Sequence, residues 1–251
     1  DRAFEEEVML SGFGNAQVKG EGSGVSFDEA QETFTARYTH ETVALAFAIT
    51  EEAIEDNLYD RLASRYTKAL ARSMSNAKQV KAVEPLINGF GGGFTSGDGA
   101  NLFSTSHSTV SGSFQNTLTT QADLNETSLE QSLIDIGQMT DERGLRVAAR
   151  GVKMIIPSEL QFTAERLMKS QGRTGTADND INAIVSMGMV PQGYRVNNYL
   201  TDTDAFFIIT DVPNGMKMFT RAPLTTAMEG DFDTGNVRYK ARERYSFGVS
   251  D

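Results

Sequence analysis

The chain has no cysteine and only two histidines among its 251 residues. Disulfides, thiolate metal sites and a cysteine nucleophile are therefore excluded. His40 and His107 are the only imidazoles from which acid–base chemistry can be built. No run approaches the roughly 18 apolar residues of a spanning helix, so no membrane segment is expected. Positive charge is scarce too, with 23 Lys and Arg against 34 Asp and Glu and a net charge of −11. A groove-reading DNA binder needs a basic footprint and is excluded on that ground; enclosing nucleic acid without gripping it is not. What is present, 39% hydrophobic residues at a mean hydropathy of −0.34, fits a soluble protein with a real core, as two modest domains or one large one. The sequence begins at Asp1 rather than Met, and an N-terminal piece is expected to have been removed or left out.

The chain is organised around Thr50 to Pro85, which reads as one long helix. Ile54, Leu58, Leu62, Tyr66, Ala69, Leu70, Ser73, Ala77 and Val80 recur in steps of three and four and form an apolar stripe. Thr50 is a suitable N-cap. Glu51, Glu52, Glu55 and Asp56 at the start, and Lys78 and Lys81 toward the end, suit the helix dipole. Pro85 is expected to end the helix. Arg61, Arg65, Lys68 and Arg72 form a basic row beside the stripe, either a solvated face or a rail for acidic groups or phosphate.

Residues 1–11 read as the end of a helix, and the Gly- and Ser-rich segment 12–32 as a loop with too little apolar surface to fold alone. Thr33 to Ile49 alternates as a strand does, which points to a projecting hairpin whose first arm lies near Phe13–Lys19. Such a hairpin cannot bury both faces on its own domain and needs a partner. A glycine-rich connection at 88–101 leads to a Ser/Thr-rich loop or short strand at 104–114 and a helix at 126–140 carrying Leu129, Leu133, Ile136 and Met139 on one face. Val152–Ile156 is a short buried strand, and Pro157 stands near the start of a helix through Lys169. Asp178 or Asn179 caps a short helix containing Ile181, Ile184, Val185 and Met187. Strands are expected at 194–197, 206–210 and 216–220, the last two joined by a turn at Pro213-Asn214-Gly215. A turn at 229–236 precedes a final strand at 237–249. Strands and helices without a βαβ rhythm define an α+β chain.

The chemical inventory is thin. Ser106 and Ser108 flank His107, but neighbours in an extended chain point apart, and no third residue is marked to orient the imidazole. His40 is expected to be exposed. Gly89 to Gly93 lacks the Lys-Ser/Thr ending of a phosphate loop. Asp231, Asp233, Gly235 and Asn236 do not have calcium-loop spacing and read as a hairpin turn. No cofactor is expected.

Several segments, taken in order, are similar to tailed-phage major capsid proteins. These are Thr39-His40 with Ala44 through Glu52 and Ile54 through Tyr59, then Leu102 through His107, Asp141 through Leu145, Ile155 through Leu160, and Val237 through Tyr245. The histidine usually followed by proline in that family is followed here by Ser108. The resemblance implies the Hong Kong 97-type fold. On it, 1–11 is an N-terminal arm remnant and 12–43 an extended loop lying on a neighbouring subunit. Residues 44–121 and 222–251 make a peripheral domain with spine helix 51–84, and 122–221 make an axial domain. The implied function is a non-enzymatic subunit of hexamers and pentamers in an icosahedral head that encloses double-stranded DNA without sequence specificity. Portal, scaffold and decoration proteins are the further partner classes, and the location is the virion, after assembly in the host cytoplasm. Candidate inter-subunit residues are Phe34, Arg37 and Tyr38 on the hairpin and Arg61, Arg65, Lys68 and Arg72 on the helix. The alternatives are an encapsulin-type nanocompartment shell and, more remotely, a hydrolase using Ser106 or Ser108 with His107.

Overall fold

The computed structural model describes residues 3–56, 59–91, 93–173 and 180–250, with the side chains of 59–62 and of Ser250 outside the described set. The chain forms two compact units. The first comprises residues 1–6, 37–85 and 216–249, the second 7–36, 86–215 and 250–251.

Strand β1 (Phe4–Ser11) pairs with β2 (Gln31–Thr39), and β3 (Glu41–Ile49) follows after His40. Residues 4–11 are thus the first arm of the hairpin rather than the end of a helix, and 12–30 carry no strand. The reason is pairing: β2 satisfies the backbone of β1, and Val8 and Leu10 are exposed rather than gathered into a helical core stripe. His40 is buried, not exposed: its Nδ1 meets Ser246 Oγ at 3.1 Å and its Nε2 meets Glu5 Oε1 at 3.3 Å.

Helix α1 (Glu51–Glu55) opens as expected, with Thr50 Oγ1 accepting from the Ala53 amide at 3.4 Å, and closes on Asp56. Helix α2 (Tyr59–Asn88) follows, so the expected single helix is two elements, with Asn57 and Leu58 outside the described residues. Pro85 does not stop α2, which runs to Asn88. Proline removes its own donor and crowds the carbonyl one turn back, and burial of Val83, Pro85 and Leu86 holds the last turn in place against that cost. Consequently Lys78 and Lys81 are not in the last turn, and the dipole is not what places them.

The first unit is built on a sheet ordered β3–β10–β9, where β9 is Gly215–Gly230 and β10 is Val237–Ser250. Register pairs Phe47 with Tyr239, Leu45 with Ala241, Val43 with Glu243 and Glu41 with Tyr245. These odd-numbered residues face α2. Tyr66 meets Phe47 edge-on at 5.6 Å, Phe47 stacks on Tyr239 at 5.0 Å, and Leu70 and Met74 bury against Ala241. Further along, Lys78 Nζ reaches Glu243 at 2.5 Å and Lys81 reaches Glu41. From Tyr66 to Lys81 the helix rises about 22 Å, and from Phe47 to Glu41 the strand covers about 20 Å, so the two elements stay in step. The buried line therefore includes Met74 and the stems of two lysines, while Tyr66 and Val80 remain nearly half exposed.

In the second unit, β4 (His107–Thr109) and β5 (Gly112–Phe114) form a small hairpin. Helix α3 (Glu126–Gln138) starts in a reciprocal cap between Asn125 and Ser128 and buries Leu129, Leu133 and Ile136. Strand β6 (Gly151–Ile156) leads through Pro157 and a short 3-10 turn to α4 (Gln161–Lys169). Asn182 caps α5 (Ala183–Ser186), accepting from the amides of Ile184 and Val185. That replaces the expected cap at Asp178 or Asn179, both outside the described residues, and leaves Ile181 exposed ahead of the helix. The side chain of Asn182 also donates to Leu167 O at 2.8 Å, which ties α5 to α4. The sheet is ordered β7–β6–β8, with β7 (Tyr194–Val196) parallel and β8 (Phe207–Thr210) antiparallel to β6. The turn at 213–215 has Asn214 and Gly215 at positive φ as expected, yet β8 and β9 enter different sheets and form no hairpin.

The Lys78–Glu243 pair yields a direct comparison. Glu243 is 3% exposed, so Lys78→Met strands a buried carboxylate and is expected to cost about 3 kcal/mol. Lys81→Met leaves an exposed Glu41 behind and is expected to cost about 1 kcal/mol or less. Urea unfolding of the two variants side by side checks the difference.

Candidate inter-subunit surfaces

The loop between β1 and β2 is held at its base by one guanidinium. Arg143 donates to Gly12 O at 3.0 Å, Asp28 Oδ1 at 2.9 Å and Glu29 O at 2.7 Å, gripping both sides of the loop at once. Asp28 Oδ2 accepts from the Gly14 amide at 2.7 Å. That bond, with Arg143 beside it, holds the Asp28 carboxyl below its ordinary range. Beyond the clamp, Val18 and Phe27 are 99% and 97% exposed, and Phe13 and Val25 are mostly exposed.

The candidate residues of the hairpin divide. Phe34 is half-buried, its Cβ 3.3 Å from where a side chain at Gly97 would start. Arg37 is exposed but engaged, its Nη2 2.6 Å from Glu6 Oε1 and its guanidinium 4.2 Å over the Phe4 ring. Tyr38 turns inward. It is 9% exposed, stacks on Phe219 at 5.8 Å and donates to Val249 O, so its ring is covered by its own chain. On α2, Arg65, Lys68 and Arg72 are exposed and have no acidic partner among the described residues. The side chain of Arg61 lies outside the described residues.

The arrangement around His107 is not that of a catalyst. His107 Nδ1 is 2.9 Å from Asp98 Oδ2, and its ring stacks on Phe114 at 5.1 Å. The other nitrogen, Nε2, is buried with no partner among the described residues, so neither Ser106 nor Ser108 is set to be activated. Asp98 works as the hub of its loop. Burial raises its pKa, and bonds from Ser96 Oγ, the Ala100 amide and His107 more than offset that, leaving it below the ordinary 3.8. Among the described residues no group of three His, Asp or Glu is placed to hold a metal ion. Asp231 is bonded to Thr234 and Arg238 and closes the β9–β10 turn.

The accessible surface totals 16052 Å². Two compact bodies with the masses of the two units expose about 13,000 Å² together even when they share no contact. The loop and the outer half of β9, exposed throughout 223–230, account for surplus of this kind. Exposed apolar side chains on such projections mark surface available for contact with other proteins. The model of a family described as phage capsid protein matches residues 32–251, and the chain belongs to that family. No curated protein sequence matches it. Among solved structures, the bacteriophage JBD30 capsid is similar with a TM-score of 0.60 at 11% identity, covering 80% of this chain and 87% of that one. The capsid of a native GTA particle gives 0.55 at 14% identity, covering 100% and 82%. The capsid of Myoviridae phage XM1 gives 0.54 at 13%, covering 100% and 83%. The fold is the α+β Hong Kong 97-type capsid fold, and the chain is a structural, non-enzymatic major capsid protein of a phage head. The hydrolase alternative falls with that.

Two outcomes are expected from the geometry. Arg143→Ala releases the loop base, so tryptic cleavage at Lys19 accelerates by about tenfold, and Arg143→Lys does not restore protection because an ammonium cannot span three acceptors in a fork. Asp98, with a lowered folded pKa, contributes stability that is complete above its ordinary value and is lost as pH falls through the folded value. Limited proteolysis of the 94–110 segment from about pH 5 down to about pH 2 should show that loss, and Asp98→Asn should flatten it.

Proposed function

We propose that this protein assembles as hexamers and pentamers into an icosahedral shell around double-stranded DNA. The observation that carries the reading is the clamped loop, which holds Val18, Val25 and Phe27 out in water where its own unit does not cover them. Covering these side chains on a neighbour returns hydrophobic free energy at about 25 cal/mol per Å². Single contacts stay weak and correctable, and their repetition makes the shell stable. In this reading residues 44–121 and 222–251 serve as peripheral domain with α2 as spine, 122–221 as axial domain, and the loop 12–43 as the arm over the neighbour. Phe34, Arg37, Arg65, Lys68 and Arg72 remain inter-subunit candidates. The acidic balance suits a wall that does not pin its contents. Assembly in the host cytoplasm and engagement of portal, scaffold and decoration proteins belong to the same reading, and the finished shell is part of the virion.

Negative-stain microscopy of the expressed chain tests it: closed particles with a nucleic-acid absorbance support a head, whereas monomers or dimers only, or particles with a co-purifying enzyme, contradict it. Deleting 20–32 should leave a folded subunit that closes few shells. Arg65→Glu with Arg72→Glu should lower particle yield more than subunit stability, and an unchanged yield would return the row to plain solvent.

A further inference from the structure

The face of the β3–β10–β9 sheet turned away from α2 concentrates the charge that the chain otherwise lacks. Odd-numbered residues of β10 meet the helix, so Arg238, Lys240, Arg242 and Arg244 lie on the opposite face. Their cross-strand partners in β3 are Ala48, Ala46, Ala44 and Thr42. On the other flank, β9 has no Asp or Glu before Glu229. Arg238 is tied to Asp231, whereas Lys240, Arg242 and Arg244 have no acidic partner among the described residues. Alternate strand residues stand about 7 Å apart, so three like charges share about 14 Å of strand in a chain of net charge −11.

The same face is already covered further along. Ser246 bonds to His40, and Gly248 lies beneath the Tyr38 ring, where a side chain would come within 2.6 Å of Cδ2. An aromatic ring from the chain itself thus caps the end of the face, while the stretch floored by Ala44, Ala46 and Ala48 stays bare.

A complementary surface exists in the same unit. Glu51, Glu52, Glu55 and Asp56 are exposed at α1, and Glu229 and Asp233 are exposed at the β9–β10 turn. Glu51 abuts Gly235, so these acids share one end. Phe232, in the same turn beside Asp233, is 101% exposed.

We propose that the acidic end of one copy, led by Phe232, docks on the cationic sheet face of a second copy; this rests on the shell reading above. Phe232 takes the alanine floor as Tyr38 takes Gly248, and the acids around it meet Lys240, Arg242 and Arg244. Donor and receiver are different patches, so each copy offers an end and receives one, a heterologous contact that extends into rings and closed shells rather than stopping at a dimer. A phosphate polymer also fits a cation row, but many copies of an acidic chain repel it, which favours carboxylates from a second copy.

The test uses the full chain and two charge reversals, Lys240→Glu with Arg242→Glu and, separately, Glu52→Lys with Asp233→Lys. Each is expected to lower the yield of closed particles by about tenfold or more while the urea transition of the subunit persists, and the four changes together should restore most of it. Wild-type yield from either pair, or a folded four-fold variant that does not recover, overturns the proposal. So does normal yield with less packaged nucleic acid from the Lys240/Arg242 reversal, which assigns the face to the polymer. Lys240→Gln with Arg242→Gln guards against misfolding: its assembly should lose most of its sensitivity to sodium chloride, and unchanged sensitivity counts against the contact. Absence of particles from the unaltered chain overturns the shell reading itself, and this contact with it.

Discussion

β10 is the strand on which the first unit depends. It lies between β3 and β9, receives α2 on one face and turns a line of cations outward on the other. The helix contact grades from aromatic at Phe47, Tyr66 and Tyr239, through aliphatic at Leu70, Met74 and Ala241, to ionic at Lys78–Glu243 and Lys81–Glu41. Apolar burial fixes that the helix lies on the sheet, and the two ion pairs fix how far along it lies. Sliding α2 by one turn so that Met74 takes the place of Lys78 would leave Glu243 buried without a cation, which costs more than any single apolar contact gains.

The second unit rests on ordinary core packing. Leu129 and Leu133 of α3, Met154 and Ile156 of β6, Leu167 of α4 and Ile184 of α5 form one cluster. Gly151 shows how tight it is, since a methyl there would lie 2.7 Å from Leu133 Cδ2 and 2.9 Å from Ile208 Cγ2. Against this closed core, the loop beyond Arg143 and the β9–β10 turn stand out as surface that their own units do not cover. A shell subunit needs that division: rigid bodies that fold alone, and projections stabilised only on assembly.

Elements whose signals are local were legible in the sequence. The steps among Leu129, Leu133 and Ile136 gave α3, Pro157 marked the entry to α4, Thr50 capped α1, and alternation over 33–49 gave strand, which the structure divides at His40 into β2 and β3 in different sheets. Long-range decisions left no local trace. Glu5 to Glu7 hid the alternation of β1, whose partner β2 lies beyond a long loop. Lys78 and Lys81 read as dipole partners because the carboxylates that hold them stand on strands distant in sequence. Tyr38 and His40 were read as projecting because Val249 and Ser246, which bury them, lie at the other end of the chain. Arg143 sat in a segment matched by resemblance, yet its role as loop clamp is set by Gly12, Asp28 and Glu29 more than a hundred residues earlier.

Assembly on this reading covers, with other copies, specific apolar side chains that are exposed in the single subunit. Hydroxyl-radical footprinting of dissociated subunits against assembled particles reads this side chain by side chain. Phe27 and Phe232 should be labelled in the free subunit and protected in the particle, with Leu129 and Met154 unlabelled in both. Equal labelling of Phe27 and Phe232 in the two states would show that other copies do not cover them.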